Sequence, residues 1–160
     1  MLKFAALLLI FFCFALGGNA MANAERERIA RGDGMILLIR SIRQGAAYFR
    51  QPLGEIFDSF SYPALEKSGF LKTLCERGLA EAFSAFQNEF GYDSFTEHRL
   101  SDFAAALGKL PLEEQLLSCD RILALLEEKA AEAKAAFPKK NKLYRTLGMT
   151  LGVGVVILLL

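Results

Sequence analysis

The sequence predicts an all-α protein in which two terminal hydrophobic anchors flank one compact helical domain, and three observations carry that expectation. Apolar residues recur at 3.6-residue spacing through the middle of the chain. Strand-like alternation never lasts more than a few residues, and no Asn-Gly or Asp-Gly hairpin signal separates apolar runs. The apolar surplus of a chain that is 53% hydrophobic and 23% charged lies at the two ends, which leaves about 115 residues in the middle, enough for one ordinary domain. The elements below follow in chain order.

Residues 1–24 form the first anchor. Phe4 to Gly18 is an unbroken run of apolar and small residues, and Asn19 to Ala24 extends it to a length that spans a hydrocarbon core of about 30 Å. A cleaved signal peptide is the rival reading, with Lys3 as its basic start and Ala20-Met21-Ala22 or Ala22-Asn23-Ala24 as its cleavage site. The charge that follows favours the anchor: Arg26, Arg28 and Arg31 lie directly behind the apolar run and resist translocation. Residues 25–34 read as a basic linker.

The helical domain is expected at residues 35–138. Its first helix runs from Met35 to Phe49, with Ile39, Ile42, Ala46 and Phe49 on one stripe and Asp33 of Gly32-Asp33-Gly34 as its cap. Pro52 opens a short helix through Ile56 and Phe60. After a break at Ser61-Tyr62-Pro63, the spacing of Leu79, Phe83, Phe86 and Phe90 predicts a helix with a buried stripe and a glycine stop at Gly91. Leu100, Phe103 and Leu107 mark another, capped at Ser101 or a neighbour and ended at Gly108. From Pro111 to Pro138 the residues Leu112, Leu116, Cys119, Leu123, Leu126, Ala130, Ala133 and Phe137 alternate four and three apart, a long helix packing lengthwise on its own bundle or on a partner helix.

Residues 139–160 close the chain with a basic flank and a second anchor. Lys139, Lys140, Lys142 and Arg145 precede fourteen residues, Leu147 to Leu160, that hold no charge and leave no face for water. Both apolar ends thus carry their basic residues on the side of the middle, so the positive-inside rule twice predicts a cytoplasmic domain. Gly148 and Gly152 form a GxxxG pair with Gly154 close by, a spacing that allows close approach of a second membrane helix.

Composition narrows the function classes. The net charge of +1 conceals an acidic body between two basic edges: residues 51–137 hold eight Lys and Arg against fifteen Asp and Glu. Basic residues interleaved with aromatics, the mark of nucleic-acid binding, are missing from that body. Cys13, Cys75 and Cys119 are widely spaced and form neither a disulfide framework nor a CxxC metal site. His98 is the one histidine, so Ser-His-Asp or Cys-His machinery could be built only around it and a multi-histidine metal site is excluded, while its neighbours Glu97 and Arg99 suggest an exposed polar turn. Glu113, Glu114, Glu127, Glu128 and Glu132 fall off the apolar stripe and read as a solvated face rather than paired catalytic acids. No G-x-x-x-x-G-K-[ST] loop occurs. No catalytic, cofactor-binding or metal site is expected, and the fourteen phenylalanines are read as packing. The work left to such a chain is contact between surfaces.

Leu107-Gly108, Glu113-Glu114-Gln115, the long Leu/Glu/Ala helix and Lys142-Leu143-Tyr144-Arg145-Thr146-Leu147-Gly148 before the apolar tail resemble the stage III sporulation protein AB family, as does Pro52-Leu53 after the first amphipathic helix. Pro52, Leu107, Gly108, Gln115 and Tyr144 are the residues that carry this likeness. Leu110-Pro111 departs from it, standing where family members tend to place a Ser/Thr-Asp pair. The resemblance implies a bundle of about six helices similar to the F domain of type II secretion systems. It also implies a subunit of the channel complex between mother cell and forespore, sited in the mother-cell-derived membrane around the forespore. Other subunits of the stage III sporulation A complex, its AA ATPase among them, are the partners implied. The reading of a different class is an extracytoplasmic binding module with a cleaved signal and a C-terminal anchor.

Overall fold

The computed structural model describes residues 2–49 and 51–159, with side chains at 16, 17, 19–48, 51–144, 146, 147, 150, 151, 153, 154 and 157. Among the described residues it is helical throughout: α1 (Leu2–Gln44), a π-helical turn (Gly45–Phe49), α2 (Leu53–Ser59), α3 (Pro63–Ser68), α4 (Phe70–Arg77), α5 (Leu79–Phe90), α6 (Ser94–Ala106) and α7 (Leu112–Leu159). The chain divides into two compact units, Arg28–Glu132 and Met1–Glu27 with Ala133–Leu160. The all-α expectation holds. The first of these units begins inside α1 at Arg28 and ends inside α7 at Glu132.

Two expected breaks do not occur. Residues 25–34, expected as a linker with Asp33 as a cap, lie inside α1. Glycine costs a helix about 1 kcal/mol relative to alanine, yet here Gly34 serves close packing. A Cβ built on it would stand 2.5 Å from Tyr62 Cδ1 and 2.9 Å from Leu65 Cγ, so the missing side chain admits the start of α3. Pro138, expected to end the long helix, lies inside α7. A proline removes one helical hydrogen bond and crowds the preceding turn at a cost of about 3 kcal/mol. Contacts within the terminal unit flank it on both sides: Lys140 Nζ donates to Glu25 Oε1 at 2.8 Å, and the Arg26 guanidinium stands 5.9 Å from the centre of the Phe137 ring.

The core of the Arg28–Glu132 unit is built from one face of every helix that enters it. Met35, Leu38, Ile39 and Ile42 of α1 are buried at the three- and four-residue spacing of a helical stripe. They meet Leu65, Leu74, Phe83 and Leu100 of the short helices and Cys119, Leu123 and Leu126 of α7. Leu112, the first residue of the expected seam, is 45% exposed at the start of α7. Phe70, Phe83, Phe86, Phe90 and Tyr92 form a ring cluster, with Phe70 and Phe90 edge to face at 5.5 Å and Phe90 and Tyr92 stacked at 5.7 Å. Such pairs add to the stabilisation that burial alone provides.

Helix ends follow local chemistry. Pro52 precedes the first turn of α2, where a proline sacrifices no needed donor. Gly91 ends α5 in the left-handed conformation, φ 62°, as the glycine stop predicts. The cap of α6 is Asp93, not Ser101: its Oδ1 accepts the Thr96 backbone N–H at 2.8 Å, and Ser101 lies in mid-helix. α3 and α4 were not foreseen as separate helices. α7 starts at Leu112 directly after Pro111, whose carbonyl accepts the Gln115 N–H at 2.9 Å. Glu113 and Glu114 in that first turn complement the helix dipole in place of the missing polar cap.

Among the described residues no helix is long and apolar enough to cross a membrane. Most side chains of the two apolar ends, including those of residues 2–15, lie outside the described ones.

Candidate interaction surfaces

The arginines and lysines read as topology signals have distinct structural roles. Arg28 donates from Nε to the Phe90 carbonyl at 3.1 Å and from its terminal nitrogen to the Gly91 carbonyl at 2.9 Å. Arg31 donates from Nε and a terminal nitrogen to the Glu89 carbonyl at 3.1 and 3.0 Å, with the Glu89 carboxylate 3.8 Å away. Two cations thus cover three consecutive carbonyls at the C-terminal end of α5, where the helix leaves acceptors unpaired and its dipole is negative. Within the terminal unit, Arg26 lies over Phe137 and Lys140 pairs with Glu25, while Lys139 and Lys142 are exposed. The Arg145 side chain lies outside the described residues, as do Gly148 and Gly152. Gly154 is exposed, with nothing within 4 Å of a Cβ built on it.

The family-like positions come together in part. A Cβ built on Gly108 would stand 3.1 Å from Leu53 Cδ1, so the Pro52-Leu53 and Leu107-Gly108 motifs meet at one junction. Leu107, whose N–H donates to the Phe103 carbonyl at 3.0 Å, packs with Leu53 against the core. Gln115 is half-buried in the first turn of α7, and Tyr144 is half-buried in the terminal unit.

Charge pairs tie α1 to α7 inside the Arg28–Glu132 unit. Arg43 grips Asp120 with two nitrogens, the longer bond 3.1 Å, and Arg40 pairs with Glu127. Lys129 Nζ reaches Asp93 at 3.2 Å and Glu132 at 3.3 Å. The Thr96 side chain and backbone N–H, aided by Lys129, hold the Asp93 carboxyl down to about 2. Glu113, Glu114 and Glu128 are exposed, in keeping with the solvated face. His98 lies on α6 rather than in a turn, its side chain 78% exposed and 3.5 Å from Asp102. Among the described residues no three His, Cys, Asp or Glu side chains gather as a metal site. Cys119 is buried, and burial pushes its thiol up to about 11; Cys75 is exposed.

One surface was missed in the sequence. A groove of about 610 Å³ runs between α6 and α7, floored by Phe103, Ile122 and Leu125 and edged by Phe95, Arg99 and Arg121. The Arg99 guanidinium sits 5.4 Å from the Phe95 ring centre, and Phe95 is 60% exposed. On the outer side of the same stretch of α7, Leu117 is half exposed. The signal was available: Leu116 and Leu117 are adjacent, and a helix cannot turn both into one core.

No curated protein and no solved structure matches this chain. The family model for stage III sporulation protein AB matches residues 3–160, essentially the whole sequence, and the chain therefore belongs to the stage III sporulation protein AB family, with a role in stage III of sporulation.

Proposed function

We propose that this chain is a non-enzymatic membrane subunit of the secretion-like channel complex between mother cell and forespore, acting as an assembly platform whose acidic helical body is a docking surface. It sits in the mother-cell-derived membrane with that body in the cytoplasm. Its partners are the other subunits of the stage III sporulation A complex, including the AA ATPase, and the lipid bilayer.

The observation that carries this reading is the concentration of exposed large apolar side chains in the terminal unit. Leu16, Met21, Leu143, Leu147, Leu151, Val153 and Ile157 all face outward there, beside the basic residues at both ends. A patch of this kind is costly in water and at home in lipid. The exposure of His98 supports a role without catalysis, since a general base works from a shielded site within reach of its substrate.

Membrane-impermeant thiol labelling tests the orientation. Cys75, exposed on α4, together with an added surface cysteine at Glu81→Cys, is expected to stay unlabelled in intact cells and to react once the membrane is opened. Labelling of unbroken cells would overturn the topology and favour the extracytoplasmic alternative, which mass spectrometry of the mature N-terminus identifies independently. Co-isolation with the ATPase in sporulating cells tests the platform role, and a chain that sediments alone there would argue against it.

A further inference from the structure

We propose that the groove between α6 and α7 receives one amphipathic helix of a partner protein, with carboxylates on both sides of a large apolar side chain. On the docking role proposed above, from which this inference takes the existence of a partner, that protein is another subunit of the complex. Two helical stripes form the walls: Phe95, Arg99 and Phe103 of α6 recur every fourth residue, and Arg121, Ile122 and Leu125 of α7 share one face. Phe103 and Ile122 are each 5% exposed at the floor, whereas Phe95 stands 60% exposed at the edge. From Phe95 to Ala106 the groove follows α6 for about 16 Å, the length of about three turns of an incoming helix.

Charge and shape decide the occupant. Residues 51–137 hold fifteen acids to eight bases, yet the groove carries an arginine on each wall against the single carboxylate of Asp102, which faces His98 at 3.5 Å. Among the described residues Arg99 and Arg121 have no ion-pair partner, whereas Arg40, Arg43, Arg77 and Lys129 are all paired. Arg99 is held over the Phe95 ring at 5.4 Å, which orders its fork before a partner arrives. A guanidinium on each wall matches a carboxylate on each flank of the occupant, and the apolar floor between them matches a side chain such as Leu or Phe. A bilayer surface is too flat to reach a floor sunk between two helices. A small carboxylic acid would leave much of an open trough of about 610 Å³ unfilled, whereas small-molecule sites enclose most of their ligand.

The test places photoreactive p-benzoylphenylalanine in the full-length chain in sporulating cells, in place of Asp102 on the α6 wall or Ser118 on the α7 wall, with Glu81 as the site outside the groove. Both groove sites, and not Glu81, are expected to crosslink to a helical segment whose Asp or Glu residues flank a large apolar residue, identified by mass spectrometry. Arg99→Glu and Arg121→Glu should each lower the crosslink roughly tenfold, since an attraction becomes a repulsion, and Phe95→Ala should lower it as well. Reversing the captured carboxylates to arginine should restore it in the Arg121→Glu chain. Thermal melting of these variants is expected to match the parent, because all three side chains are exposed. A crosslink only to a second copy or to phospholipid, capture that ignores the arginine reversals, or no crosslink at either wall would each overturn the proposal. Co-isolation with the ATPase that persists in those cases would leave the platform reading standing. An arginine-dependent helix from a protein outside the complex would instead uphold the groove and overturn that reading.

Discussion

Replacing Arg28 by alanine tests whether the arginines behind the first apolar run have a structural role. The substitution removes two charge-assisted hydrogen bonds, at 3.1 and 2.9 Å, from the carbonyls of Phe90 and Gly91. Bonds to charged groups contribute about 1.5–3 kcal/mol each when partners are buried. These carbonyls are part-buried and water can replace some of what is lost, so we expect a loss of about 2 kcal/mol for the pair. For a domain of this size that corresponds to a fall of roughly 10 °C in Tm, read by far-UV circular dichroism of the full-length protein. Arg31→Ala, which frees the Glu89 carbonyl, should cost somewhat less. The double variant should fall short of the sum, because both residues hold the same helix end and its fraying is lost only once. Arg26→Ala is the control: its guanidinium stands over Phe137 in the terminal unit, and the shift should stay within about 0.5 kcal/mol. Equal melting of the Arg26, Arg28 and Arg31 variants would refute the argument that α5 is held by these cations.

Other consequences follow from the same contacts. Gly34→Ala gains about 1 kcal/mol of helix propensity but drives a methyl into Tyr62 and Leu65, so a net loss of about 1–2 kcal/mol is expected, whereas Gly17→Ala, with nothing within 4 Å, should be neutral or stabilising by the same melting assay. Asp93 is held down to about 2 in the folded chain, below the usual value near 4, so its contribution is present above about pH 4 and lost as pH falls toward 2; Asp93→Asn should flatten that limb of the stability curve in acid titrations. The Cys119 thiol, raised to about 11 by burial, ionises more readily when the chain unfolds, so stability should decline between about pH 9 and 11, and Cys119→Ser should reduce that decline. At neutral pH a maleimide should modify Cys75 and leave Cys119 untouched until the chain is unfolded.

How much could be read in the sequence depended on how far each signal reaches along the chain. The α5 stripe, its Gly91 stop and the α7 seam through Cys119 were legible because several turns repeat one spacing. α3 and α4 span six and eight residues, too few turns for a period to declare itself, with Gly69 and Gly78 bounding α4 on either side. The start of α6 was not legible because the cap, Asp93, makes a local bond to Thr96 that precedes the apolar repeat of Leu100 and Phe103. Gly34 and Pro138 misled for a different reason. Propensity marks both as breaks, and it is overridden by contacts with residues far away in sequence, Tyr62 and Leu65 in one case and the Glu25–Lys140 region in the other. The groove and the outward Leu117 belong to this second kind, since neither α6 nor α7 alone forms that surface.

Arg28 and Arg31 carry two demands that act at different times, and lysine separates them. On the proposed membrane reading, insertion asks only for positive charge beside the apolar run, which lysine supplies as well as arginine. Once α5 has folded, what matters is a planar fork that donates in two directions to neighbouring carbonyls, and an ammonium at the end of a flexible stem reproduces at most part of that. The variant carrying both Arg28→Lys and Arg31→Lys is therefore expected to keep its thiol-labelling pattern unchanged while its Tm falls by roughly half as much as in the double alanine variant. Two alanines should lower Tm further and also loosen orientation, seen as partial labelling of Cys75 in intact cells. A double lysine variant that melts like the parent would show that charge near the end of α5 suffices. One that labels like the double alanine variant would show that orientation depends on the folded domain and not on the charges that precede it.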